Sequence, residues 1–124
     1  MKEKKPLVLN VEHKWFELMV TGEKTHEYRK PSKWIKSRLW KNVNTRAGSI
    51  PCYISKEYVA VKIISGYGNT RPYFIAKFRD HLENITLYTE EYSNGLQVKV
   101  EPRDIIILLG EILKIENYDL NKKR

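Results

Sequence analysis

Apolar positions along this chain follow a helical rhythm in short segments at the start and a strand rhythm over most of the remainder. Pro6–Asn10 (PLVLN) reads as a short buried strand, and His13–Thr21 as a helix with Trp15, Leu18 and Met19 at i, i+3 and i+4. Gly22 stops that helix, because a glycine there takes the left-handed conformation that closes a last turn. Lys24–Lys30 (KTHEYRK) reads as extended and is bounded by Pro31, which turns Lys30 away from helical angles. Ser32 then caps a second short helix. On a helical projection of Lys33–Lys41, Ile35 and Leu39 share one side, while Lys33, Lys36, Ser37, Trp40 and Lys41 share the other. Beyond the polar loop Asn42–Gly48 the runs are strand-like: Ile50–Ile54, Tyr58–Ile64, Tyr73–Phe78, Leu96–Val100, Ile105–Leu109 and Ile112–Ile115. Their β-branched content and tight turns, Asn94-Gly95 among them, predict hairpins folding back into a small barrel. Gly66–Pro72 is a turn-rich loop, Asp80–Glu91 fits either a strand extension or an acidic connector, and Asn121–Arg124 reads as frayed.

With 124 residues the chain makes one ordinary domain, 1–124, and a two-domain enzyme is excluded. Charged residues reach 31%, but eight Tyr and three Trp argue against disorder and for a packed core. No apolar run approaches the roughly 18 residues of a membrane helix, and no apolar signal region follows the charged Met1–Lys5. The expectation is a soluble, cytoplasmic domain without membrane contact. Cys52 is the single cysteine, so no internal disulfide or CxxC motif forms. His13, His26 and His81 lack ligand spacing with each other and with Cys52, so no metal or other cofactor is expected.

The charge is unevenly placed. Residues 1–50 hold twelve basic and five acidic side chains, whereas residues 51–124 hold eleven and ten. Lys24–Arg46 alone carries eight basic residues against one acid, Glu27. A field of that sign attracts polyanions, and Tyr28, Trp34 and Trp40 among the charges offer surfaces on which bases stack. The plainer alternative is a solvated face on a basic protein.

Position within a motif separates the two. Gly22–Arg29 (GEKTHEYR) follows a short amphipathic helix and precedes Pro31-Ser-Lys-Trp, and its Gly22, Lys24, Glu27 and Arg29 fill a G-x-K-x-x-E-x-R pattern. In this context the segment resembles the signature of the ASCH domain family, part of the PUA-like superfamily. The resemblance implies an α+β fold: a small PUA-like β-barrel of about five to six strands with two or three short flanking helices. It also implies RNA or a nucleotide as the partner. Read from the residues, Lys24, Glu27 and Arg29 place a cation, an anion and a cation along a cleft rim. In an ideal strand Lys24 and Glu27 point to opposite faces, so their convergence requires a bulge or bend near Thr25. The alternative is an exposed ion pair worth about 0–1 kcal/mol. The nucleic-acid-binding set expected around the cleft is Lys24, Glu27 and Arg29, extended by Lys30, Lys33, Trp34, Lys36, Trp40 and Lys41. Arg71 and Tyr73 stand either at the cleft mouth or in a plain hairpin turn.

The resemblance further implies two activities among relatives, ribonuclease action and hydrolysis of an acylated cytidine nucleoside. In the nucleoside-hydrolysing type a threonine nucleophile stands three places after the lysine. Here that place is Glu27, and Thr25 is offset by two residues. A hydrolase of this chain would therefore use Lys24 and Glu27 as its catalytic pair, electrophile and general base.

Overall fold

The computed structural model describes residues 2–42, 53–66 and 70–120; Arg46, Cys52 and the tail Asn121–Arg124 lie outside them. Leu7, Leu9 and Val11 are buried in strand β1 (Leu7–Val11) while Val8 is exposed, so the strand turns one face inward. Helix α1 (His13–Val20) buries Phe16, Leu18, Met19 and Val20. Gly22 follows it at φ +88°, and its N–H bonds Met19 O at 3.1 Å, the predicted glycine stop. The extended segment is strand β2 (His26–Arg29), and Ser32 Oγ accepts from Ile35 N at 3.2 Å to cap α2 (Lys33–Leu39). Two short ribbons flank the main sheet. One joins β3 (Trp40–Asn42) to β4 (Tyr53–Ser55); after β5 (Ala60–Ser65) and β6 (Tyr73–Glu83), the other joins β7 (Tyr88–Glu91) to β8 (Gln97–Val100). Gly95 at φ +87° turns the second ribbon, as Asn94-Gly95 predicts.

Strand β9 (Ile105–Glu116) completes a five-stranded sheet of order β1-β5-β6-β9-β2. Of its hydrogen-bonded neighbours among the described residues, β1 and β5 pair in parallel and the other pairs are antiparallel. The sheet curls into a half-barrel, so the fold is α+β with two helices among the described residues. Its concave side is filled by Leu9, Val61, Ile63, Phe74 and Ile107, with Phe16 from α1 and Ile35 and Leu39 from α2, none more than 1% exposed. Strands β1 and β2 are the free edges, and no ladder joins them. A side chain spans the seam instead: Arg29 Nη2 donates to Asn10 O at 2.7 Å.

Three expectations change. Ile105–Leu109 and Ile112–Ile115 form one strand, because Gly110 sits where the β6–β9 register shifts and continues the strand rather than turning it. A Cβ there would meet Arg79 Cγ and Lys77 Cβ at 3.2 Å. The ambiguous Asp80–Glu91 is both things at once: its start extends β6 and its end opens β7. The helix predicted over Lys33–Lys41 ends at Leu39, and Trp40 is extended at φ −130° and ψ 143°.

The reason for that early end is tertiary. Trp40 lays its ring against His81 at 4.6 Å, and Phe78 lies 6.0 Å from the same imidazole. His81 is buried, and neither ring nitrogen has a hydrogen-bond partner of normal geometry. Burial lowers its pKa from 6.5; Asp80 and the carbonyls of Lys56 and Leu39 oppose that only in part. A base whose proton affinity is lower folded than unfolded contributes stability above pH 6.5 and loses it as pH falls toward the lower folded value. Urea midpoints measured from pH 8 to 5 should therefore fall below pH 6.5, and His81→Leu should flatten that decline. An equal decline in the variant would place the titrating group elsewhere.

Candidate functional site

The seam between the two edge strands holds the motif. Lys24 N donates to Leu18 O at 2.9 Å, which pins the residue to the end of α1 before β2 begins. Its side chain is buried, and Nζ donates to His26 O and, at 3.3 Å, to Glu27 Oε1. Arg29 Nε donates to the other oxygen, Glu27 Oε2, at 2.9 Å. Both oxygens of one buried carboxylate are thus engaged by two cations, a different environment from an exposed surface pair. No bulge brings them together: the β2–β9 register is regular, and Lys24 precedes the strand, so strand alternation does not govern it. Burial lowers the Lys24 pKa, and the carboxylate of Glu27 pulls it back part of the way.

Around this trio lies a cleft of about 300 Å³, whose walls include Asn10, Trp15 and Tyr28 and whose lining also takes in Lys30. The Lys24 ammonium sits 5.1 Å from the centre of the Tyr28 ring and 5.8 Å from that of Trp15. Glu90 stands behind, accepting from Tyr28 Oη at 3.0 Å and from Tyr92 Oη. Burial first, then these hydrogen bonds, push both phenols well above the ordinary tyrosine pKa, so they remain neutral donors. Periodicity places Trp15 on the helix's apolar stripe, yet it is only partly buried and faces the cleft. Its position on the helix that delivers Lys24 is the signal in the sequence that points to it. Glu90 and Tyr92 have none, since they lie more than 60 residues beyond the motif.

The basic helix does not enlarge this cleft. Lys33, Lys36, Trp40 and Lys41 line a second groove of about 830 Å³, and the two concavities share no lining residue. Trp34 lines neither: it is exposed, with the Arg38 guanidinium 5.2 Å from its ring. Lys30 is already engaged by Glu101 at 2.8 Å and Asp104 at 3.0 Å. Arg71 and Tyr73 do not line the cleft; Tyr73 carries Lys62 Nζ 4.2 Å over its ring. His13 bonds Ser65 Oγ at 2.8 Å, and His26 packs beside Tyr28. Among the described residues no group of three His, Cys, Asp or Glu side chains is arranged to hold a metal, and no helix is long and apolar enough to cross a membrane.

The family model of the ASCH domain matches residues 9–107, from the first edge strand to the early part of the last one. The chain belongs to the ASCH domain family. Comparison with curated proteins and with solved structures finds no match. ASCH domains are PUA-like, and RNA binding is ascribed to them. The matched span of this ASCH domain contains Lys24, Glu27 and Arg29, the cleft they line and the seam of the curled sheet that they occupy.

Proposed function

We propose that this ASCH domain binds RNA or a nucleotide in the cleft bearing Lys24, Glu27 and Arg29. One observation carries the reading: a buried carboxylate saturated by two cations at an open seam, with aromatic faces beside it. Because Lys24 and Arg29 occupy both Glu27 oxygens, the carboxylate orients the cations and leaves the ligand to other groups. Those groups are the remaining N–H donors of Arg29, the backbone at Asn10–Glu12 and the faces of Trp15 and Tyr28. Phosphates would go to the cations, and an unpaired base would stack on the indole.

Anisotropy titrations with a labelled single-stranded RNA test this. With Lys24, Arg29 and Lys30 as the cations lining the cleft, log affinity should fall with log salt at a slope no steeper than about −2. Trp15→Ala should remove about 1–3 kcal/mol of binding. A flat salt response, or a Trp15 variant that binds like the wild type, would overturn it.

A second reading is favoured by one specific feature, the buried Lys24 with its lowered pKa 3.3 Å from Glu27. It makes the pair the catalytic centre of a hydrolase acting on RNA or a modified nucleoside. Pure protein would then turn over RNA or an N-acylated cytidine, and a folded Lys24→Ala variant would not. Turnover that survives that substitution would remove the pair from the chemistry.

A further inference from the structure

The larger groove is built differently from the cleft. Lys33, Lys36, Lys41, Lys56 and Arg103 line it, against the single carboxylate of Glu83. Among the described residues, no acid lies within ion-pair distance of any of these five cations. That contrasts with the saturated charges of the cleft. Arg103 carries the second observation. It holds φ +77°, a left-handed conformation that L side chains disfavour and glycine adopts freely.

The surroundings over-determine that backbone. Arg103 N donates to Asn84 O at 2.8 Å, while buried Asn84 donates from Nδ2 to Glu101 O at 2.9 Å. Asp104 Oδ2 accepts from Glu101 N at 2.9 Å, and Lys30 clamps the same carboxylate. The loop is held from both sides, and a guanidinium with no acid of the described residues within ion-pair distance stands on its strained residue beside the groove. Half-buried Trp40 and exposed Tyr53 add aromatic surface to the same lining.

We propose that this groove is a second nucleic-acid-binding surface, separate from the cleft, that holds the sugar-phosphate backbone of a single strand, with Arg103 as its positioned arginine. The proposal rests on the RNA-binding reading only in taking nucleic acid as the polymer. Cations without counter-acids suit a chain of phosphates, and the neighbouring aromatic faces suit unpaired bases better than an acidic peptide.

The test uses the full chain, a fluorescein-labelled 12-nucleotide oligouridylate and uridine 5′-monophosphate. Arg103→Gly removes the guanidinium while fitting the left-handed backbone, so it keeps the fold. The Lys33→Glu/Lys36→Glu double variant reverses charge on an exposed helix face. Oligonucleotide affinity should fall roughly three- to tenfold in the first and at least about tenfold in the second. The salt slope should become shallower by about 0.7 for each phosphate that is no longer neutralised, with mononucleotide binding unchanged. Wild-type affinity for the oligonucleotide in both variants would overturn the groove. So would polyglutamate of equal length competing as well as the oligonucleotide, which would mark an acidic-protein surface. A protein that ignores the mononucleotide but holds the oligonucleotide in a groove-dependent way would keep this proposal and sink the cleft as the nucleotide site.

Discussion

Glu27→Ala should lower the stability of this domain by about 3–5 kcal/mol, because it strands a buried cation. Lys24 is 3% exposed, and without the carboxylate its ammonium keeps the His26 carbonyl, the two ring faces and the more distant charge of Glu90. Arg29 would lose its Nε acceptor at the same time and hold the seam through Asn10 O alone. The reverse substitution is the informative control. Lys24→Met puts an apolar chain of similar length in the buried place and leaves Glu27 paired with Arg29, so it should cost much less. Urea denaturation separates the two, the midpoint moving while its slope stays constant. If Glu27→Ala stays within about 1 kcal/mol of the wild type, the carboxylate is not what keeps the lysine buried. In the binding assay both variants should lose the ligand, since one disorders the cations and the other removes one.

Phe16→Ala should cost a similar amount, about 3–5 kcal/mol, by a different mechanism. The ring is fully buried, with Phe74 at 5.7 Å and Tyr118 edge-on at 5.4 Å. Its removal leaves a cavity between α1 and the sheet, which the flanking aromatic rings fill only in part. The consequence reaches the cleft, because the same helix presents Trp15 one residue earlier and pins Lys24 at its end. Thermal unfolding of the variant should show a lower midpoint, and ligand binding well below that midpoint should be nearly intact. A cost under about 1.5 kcal/mol would mean that α1 is not anchored to the sheet through this ring.

Several parts of the fold are legible in the chain because they depend on close neighbours. Gly22 ends α1 by its own backbone freedom, Ser32 caps α2 with a hydroxyl three residues from its partner, and Asn94-Gly95 turns a hairpin. The motif trio is legible in the same way, within six residues of chain. Its convergence, expected to require a bulge or bend near Thr25, needs no bulge, since Lys24 lies before the strand whose alternation would have set its direction. Gly110 misleads in the opposite direction. A glycine between two apolar runs looks like a turn, but it sits at a register shift where three steps along β9 match two along β6, and that shift exists only once the two strands are paired.

The sequence alone thus determined the element types, their local stops and caps, the basic character of one half and the identity of the ionic trio. These follow from short-range sterics and hydrogen bonds, which act over three or four residues whatever the rest of the chain does. The tertiary structure decided which concavity each charge faces. Lys30 is committed to acids 71 and 74 residues away, α2 lines a groove of its own, and Arg103 enters that groove from a loop held by Asn84. Long-range pairings of this kind arise only when the sheet curls and brings its edges together, and no local pattern encodes which residues then meet.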